Sequence, residues 1–380
     1  MEHVYINRAS IFLPNEPVLN DEMEEYLGYV NNKPSRSKGI ILRRNGIKER
    51  YYAIDKEGKA THTNAEMCAK AIRGLFQDNP DEISSIELLT CGTSSPDQLL
   101  PSHAVMVHGC LPETSNVEVI SPSGACCAGM HALKYAYMSL KVGDKQKAVT
   151  TGSERLAITM RSKNYEDEVQ KLIELEENPY IGFEKDFLRW MLSDGAGAFL
   201  LENKKNDSGL SLRIDWMEAC SYAHKVAPCM YMGGDRLKNG EFQSYKDYEV
   251  SDLVDKSLLS FKQDVKLLSE NIVELGIDLL QSALKKHDAN LDDVTHFLPH
   301  ISSYFFEKPV ADGLLARGME IPEEKWFTNL RTKGNVGAGS IYLMVEELFA
   351  SDKLKVGDKI LLMVPESSRF SYMYVWLTVC

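Results

Sequence analysis

Short apolar runs and stretches of helical spacing take turns along this chain. Residues 117–120 form a brief β-type run that ends in Ser121-Pro122-Ser123-Gly124. Apolar side chains then return three and four positions apart at Ala132, Leu133, Ala136, Tyr137 and Leu140, the period of a helix with one buried face. Tyr342, Val345, Glu346 and Phe349 repeat that spacing near the other end. Strands alternating with helices predict an α/β fold with buried, mostly parallel sheets covered by helices. In such folds, ligands gather beyond the carboxyl ends of the strands.

Three segments of the first half recur in order in the second. Residues 86–95 pair with 294–303, the segment from Val117 through Cys127 pairs with 326–340, and Lys147 through Arg155 pairs with 359–369, at offsets of 208, 209 and 212 positions. Each segment reads as a short strand running into a turn. Near-equal offsets over three segments predict a duplicated α/β unit, with one half at residues 1–205 and the other at 206–380. Cys127, His300 and Asn335 all fall just past expected strand ends, so the duplication predicts that they meet.

Composition narrows the classes. A chain of 380 residues with a net charge of −12 lacks the basic face that phosphate contacts need, so nucleic acid is not an expected partner. The basic cluster of Arg36, Lys38, Arg43, Arg44, Lys48 and Arg50 is the one local exception, and a solvated charged face is the plainer meaning of such a run. No stretch is long and apolar enough to span a membrane, and the opening residues lack a basic-then-apolar leader, so a cytoplasmic protein is expected. Eight cysteines without metal-ligand spacing predict reduced thiols, no structural metal and no cofactor.

Cys127 sits where the 117–120 run turns into a helix. A thiol there faces unpaired N–H groups and the positive end of the helix dipole, a setting that lowers its pKa and favours attack; a small apolar residue packing a helix start is the alternative meaning. A thiolate suits thioester exchange, which holds an acyl group covalently. His300 follows the run Phe297-Leu298-Pro299 and reads as an acid, base or hydrogen-bond donor, or as a structural histidine. Asn335, in Gly334-Asn335-Val336-Gly337, reads either as a left-handed turn residue or as a donor to an enolate oxygen. The Gly-rich run 334–339 has neither the spacing nor the lysine of a nucleotide-binding P-loop.

These residues resemble the thiolase superfamily, and within it the β-ketoacyl carrier-protein synthase III family, over nearly the whole chain. The matching landmarks are Arg44-Asn45-Gly46-Ile47-Lys48-Glu49-Arg50, Gly92-Thr93-Ser94-Ser95 with Pro101-Ser102, Ala125-Cys126-Cys127-Ala128-Gly129, Asp194-Gly195-Ala196-Gly197-Ala198, Pro299-His300 and Gly334-Asn335. The resemblance implies a thiolase fold, five-layered α/β/α/β/α with two pseudo-repeated halves, and a homodimer. It implies an acyltransferase in which Cys127 carries the acyl group while His300 and Asn335 bind the carbonyl of a second thioester as its carbanion forms. Acyl carrier protein or acyl-CoA would be the partners. The backbone N–H groups of Cys127 and Ser368 would form the oxyanion hole. Leu100 would close the acyl pocket across the dimer, and Arg43, Arg44 and Lys308 would flank the carrier or CoA entrance. Cys126 would serve in packing.

The chain also departs from the family. Ile40 stands where many members stack a Trp on adenine, Phe305 replaces a basic docking residue, and Leu100 replaces a larger aromatic residue. Residues 158–192 are longer than the corresponding family segment. Tyr165, Val169, Leu172 and Ile173 predict an added amphipathic helix there. The end of that insertion, residues 183–192, resembles the condensing enzymes that form dialkylresorcinols from a β-ketoacyl and an unsaturated acyl thioester. Four other readings compete. A hydroxymethylglutaryl-type synthase needs a Glu in the Gly92-Thr93 segment, where none stands. A non-catalytic partner subunit would have lost the nucleophile. A type III polyketide synthase shares Cys, His and Asn, and a cysteine hydrolase uses the same residue types.

Overall fold

The computed structural model describes residues 3–35, 37–164, 187–237 and 239–380. Nine strands bond into one sheet that separates into two similarly wound groups. The first contains β1 (Tyr5–Phe12), β2 (Leu88–Gly92), β3 (Glu118–Ile120), β4 (Lys147–Glu154) and β5 (Gly195–Glu202), in the order β3-β2-β4-β5-β1. The second contains β6 (Leu212–Ser221), β7 (His296–Pro299), β8 (Lys359–Glu366) and β9 (Ser371–Val379), in the order β7-β8-β9-β6. Strand β2 runs parallel to β3 and β4, and β5 is antiparallel to β4 and β1. The second group repeats the scheme: β7 is parallel to β8, while β9 is antiparallel to β8 and β6. Tyr5–Arg213 and Ile6–Leu212 join the groups.

The sheet is mixed where mostly parallel strands were expected: among the described residues five of its eight strand pairings are antiparallel. One predicted strand is corrected as well. The segment beginning at Trp326 is the counterpart of β3, yet it keeps only a single bridge, Phe297 to Trp326. A 3-10 turn ends at Lys325 and a helical turn begins at Leu330, which leaves too few residues for a ladder. The Trp326 ring packs edge-on against Phe297 instead.

Among the described residues, six helices complete the layers: α1 (Asn64–Gly74), α2 (His103–Gly109), α3 (Cys127–Lys141), α4 (Val265–His287), α5 (Glu307–Ala316) and α6 (Ser340–Phe349). Local signals set their ends. Thr63 and Glu66 form a reciprocal capping box at the start of α1, and the Asp264 side chain accepts from Leu267 N–H at the start of α4. Strand alternation then sorts residues to faces. In β5, Ala196, Ala198 and Leu200 meet α1 and α2, whereas Phe199 and Leu201 meet α3 and α6. In β9, Tyr372, Tyr374 and Trp376 meet α4 and α5, whereas Met373, Val375 and Leu377 meet the central pair. The result is helices, sheet, the α3/α6 layer, sheet, helices. Each fully buried large side chain in these faces contributes about 1.5–3 kcal/mol of transfer free energy.

The central layer is close-packed through glycine. A Cβ on Gly152 would lie 2.2 Å from the Ala338 carbonyl oxygen, and one on Gly129 would lie 2.4 Å from the same atom. Tyr342 fills the remaining space. It stacks on Phe199 at 4.2 Å, donates to the Gly129 carbonyl at 2.8 Å and accepts from Thr150 at 2.7 Å.

A fourth apolar cluster caps one end of the sheet and includes Ile41, Tyr52, Met160, Trp190, Ile301 and Leu330. Asp194 pins it: its carboxylate accepts from the N–H groups of Ala53, Leu156 and Ala157 at 2.7, 2.6 and 2.9 Å. The Asp194-Gly195 landmark is therefore a structural tie. The helix expected around Tyr165, Val169, Leu172 and Ile173 lies outside the described residues, whereas Phe187, Leu188, Trp190 and Met191 are buried in this cluster. Among the described residues, no helix is long and apolar enough to cross a membrane.

Candidate active site

The first turn of α3 lies directly under the 92–95 segment. A Cβ on Gly92 would lie 2.2 Å from the Ala128 carbonyl oxygen, so the strand end can approach the helix only with glycine there. Cys127 opens the helix and is 1% exposed. Its thiol donates to the Val364 carbonyl at 3.3 Å. The preceding residue of β8, Met363, accepts the backbone N–H of His300 at 2.8 Å. Two consecutive carbonyls of one strand thus hold the thiol of the first half and the histidine of the second.

The expectation that the helix start lowers the Cys127 pKa is overturned. Burial pushes the thiol well above its ordinary value, and the negative charge of Glu366 adds to the shift. The helix donors are already taken: Glu366 Oε2 accepts from the N–H groups of Ala125 and Cys127 at 2.9 and 3.0 Å, and its Oε1 accepts from the Ser368 hydroxyl at 2.6 Å. A carboxylate therefore neutralises the dipole end that would have favoured the thiolate. It also occupies the Cys127 half of the expected oxyanion hole. Ser368 stands in the turn between β8 and β9, where it touches that carboxylate through its hydroxyl.

His300 is 3% exposed. Burial lowers its pKa to about 4, so near pH 7 the ring is neutral, with one nitrogen donating and the other accepting. Asn335 is 4% exposed and is held at three points. Its N–H donates to the Met191 carbonyl at 3.1 Å, its C=O accepts from Ser193 N–H at 2.9 Å, and its Oδ1 accepts from Gly337 N–H at 2.9 Å. With Oδ1 committed, Nδ2 is the amide's remaining donor. The left-handed positions belong to Gly334 and Gly337, at φ +68° and +49°, so Asn335 does not fill that turn role. The same turn carries Ala338, whose carbonyl rests on Gly129, two residues into the helix that Cys127 begins.

Cys126, expected to pack, is half-buried and lines an apolar cavity of about 50 Å³ together with His300, Ser367, Ile272, Val310 and Tyr372. The remaining expected site residues lie farther out. Leu100 is 85% exposed, in the loop before α2, and does not line this cavity. Arg43 and Arg44 are exposed on the helix Lys38–Asn45, and the Arg44 carbonyl accepts from Ser303 at 3.5 Å. Lys308 is exposed and paired with Asp312 at 2.7 Å, a surface pair that contributes little to stability. Ile40 and Phe305 are exposed at 46% and 52%. Arg36 lies outside the described residues.

Sequence reasoning missed two carboxylates. Glu154 ends β4, accepts from Ser94 N–H and from the hydroxyls of Ser94 and Ser95 at 3.1, 2.7 and 2.5 Å, and takes Ala338 N–H at 3.2 Å. Burial raises its pKa to about 7 against these bonds. Glu366 ends β8 in the matching position. Both glutamates fall inside the third repeated segment, 212 positions apart, and that coincidence was the available signal.

Residues 284–364, which include His300 and Asn335, match the family profile described as 3-oxoacyl-[acyl-carrier-protein (ACP)] synthase III C terminal. The chain is 24% identical over 365 residues to a β-ketoacyl-[acyl-carrier-protein] synthase III of Clostridium perfringens (strain SM101 / Type A), with 95% of each chain covered. It is 26% identical over 324 residues to that of Aliarcobacter butzleri (strain RM4018), covering 84% of each. Its fold is similar to that of AbyA1, a tetronic acid condensing enzyme, at a TM-score of 0.74, 19% identity and 99% of both chains. It is similar also to a variant of OleA from Xanthomonas campestris, at 0.75, 18% identity and coverage of 99% and 98%. The chain has the thiolase fold, and over nearly its whole length it is similar to β-ketoacyl-[acyl-carrier-protein] synthase III enzymes.

Proposed function

We propose that the enzyme takes an acyl group from a thioester onto Cys127 and joins it to the α-carbon of a second thioester by a Claisen-type condensation. The observation that carries this reading is the pair of adjacent β8 carbonyls, Met363 and Val364, that set the His300 backbone and the Cys127 thiol at one strand end. Acylation transfers the thiol proton and releases the donor's thiol. The second thioester then places its carbonyl against the neutral His300 ring and Asn335 Nδ2, which stabilise the enolate oxygen as the α C–H bond, or the C–CO2⁻ bond of a malonyl group, breaks and leaves its electron pair on the α-carbon. The enolate carbon attacks the acyl-Cys127 carbonyl, the tetrahedral oxyanion takes the N–H groups of Cys127 and Ser368, and the C–S bond breaks.

On this reading residues 1–205 carry the nucleophile, and residues 206–380 carry His300 and Asn335. Acyl-CoA or an acyl carrier protein brings the substrates to a cytoplasmic homodimer. Arg43, Arg44 and Lys308 receive the phosphate-bearing arm near the 303–308 segment, and Leu100 reaches the partner's acyl pocket. The exposure of Leu99 and Leu100, at 77% and 85%, supports that last role, because large apolar side chains left in solvent mark contact surfaces. The test is product mass from an acyl-CoA and a second thioester. A new C–C-bonded product absent from Cys127→Ala supports the reading, and hydrolysis alone would refute it.

A further inference from the structure

We infer that Glu366 is the base that deprotonates the second thioester, and that the enzyme therefore prefers a carbon acid lacking a carboxylate over a malonyl thioester. This rests on the condensation proposed above. Glu366 holds the N–H groups of Cys127 and Ala125, so its carboxylate lies at the point where the acyl-enzyme carbonyl forms. The residues on either side of it, Pro365 and Ser367, line the same cavity as His300 and Cys126.

Its counterpart Glu154 shows what a purely structural carboxylate looks like at this place in the fold. Glu154 is fully buried and closed in by Ser94, Ser95 and Ala338. Glu366 is 8% exposed, and two of its three bonded donors, the Cys127 N–H and the Ser368 hydroxyl, belong to residues of the oxyanion site itself. An incoming acyl carbonyl takes the Cys127 N–H and frees one lone pair of Oε2, which keeps the Ala125 N–H, while Ser368 keeps Oε1.

The step balances. Oε2 accepts the α-proton as the C–H bond breaks, and the electron pair enters the enolate held by His300 and Asn335. The enolate carbon forms the new C–C bond, the C–S bond to Cys127 breaks, and the protonated Glu366 returns its proton to the departing thiolate. A methylene flanked by two carbonyls is acidic enough for a carboxylate to do this. No Lys, Arg or His forms an ion pair with Glu366 among the described residues, so the carboxylate of a malonyl thioester would meet a like charge that no cationic side chain offsets.

The experiment preloads the full-length wild type, Glu366→Gln and Glu366→Asp with octanoyl-CoA, quantifies acyl-Cys127 by intact mass, and measures single-turnover discharge per acylated enzyme. The two chases are 3-oxooctanoyl-CoA and malonyl-CoA. The expected result is faster wild-type discharge by the 3-oxoacyl thioester, a loss on the order of 10²-fold or more in Glu366→Gln, partial recovery in Glu366→Asp, and a smaller loss with malonyl than with the 3-oxoacyl thioester in Glu366→Gln. Discharge of Glu366→Gln by the 3-oxoacyl thioester at the wild-type rate, or a wild type that prefers malonyl, would overturn the inference while leaving the condensation standing. The wild-type preference decides if the variants do not fold. Absence of acyl-enzyme from the wild type would overturn both.

Discussion

Glu154 and Glu366 end equivalent strands in the two halves, and each sends its carboxylate across to the backbone at the start of the other half's central helix. Glu154 takes Ala338 N–H just before α6, and Glu366 takes the N–H groups of Ala125 and Cys127 at the start of α3. The local environments then diverge. Serine residues saturate Glu154 in the first half, where the strand end is packed shut. The second half places Ser367 and Ser368 beside Glu366 and leaves the carboxylate on the backbone N–H of Cys127. The same device stands in both halves, and the difference in neighbours separates a clasp from the group proposed to act as base.

The largest test of the division between halves is Cys127→Ala, which is expected to lower condensation on the order of 10⁶-fold and to abolish the covalent adduct, read by steady-state product formation. His300→Ala and Asn335→Ala should separate the two stages. Acylation persists and condensation falls by about 10²–10³-fold, read by comparing adduct formation with product release.

The clasp between halves is broken by Gly152→Ala. The added methyl meets the Ala338 carbonyl and the Tyr342 ring, and the loss of stability should be about 3 kcal/mol in a denaturant titration. Glu154→Gln sharpens the comparison through pH. The folded-state pKa of Glu154 is raised to about 7 from 4.5, so the native state binds the proton more tightly than the unfolded chain. Its contribution is greatest below pH 4.5 and is lost as pH rises to about 7, an effect of about 3 kcal/mol at most. The unfolding midpoint of Glu154→Gln should therefore gain on the wild type between those limits. The smallest effect is Tyr342→Phe, which removes the bonds to Gly129 and Thr150 and should cost about 1–2 kcal/mol.

Much of the strand and helix order was legible because it depends on local periodicity. The repeated segments 86–95, 147–155 and 294–303 became β2, β4 and β7, and Ala132 through Leu140 keep helical spacing along one helix, whereas the antiparallel strands β1, β5, β6 and β9 lie outside the repeated segments and escape that reading. Trp326 shows the limit. Its apolar neighbourhood reads as a strand, but the turns on both sides leave room for a single bridge. At the site, the landmarks singled out Cys127, His300 and Asn335. The electrostatics around Cys127 were not legible, because the decisive group is 239 positions away. A helix start looks activating until the residue that occupies its N–H groups is known. The protonation behaviour of His300 likewise comes from burial, which no motif reports.

The most direct test of the central claim is the intact mass of wild type, Cys127→Ala and His300→Ala after exposure to octanoyl-CoA, followed by a chase with a second thioester. An octanoyl adduct is expected on wild type and His300→Ala, none on Cys127→Ala, and prompt loss on chase only from the wild type, with a C–C-bonded product. An adduct on Cys127→Ala, or loss of the adduct to free octanoate without any acceptor, would contradict that claim.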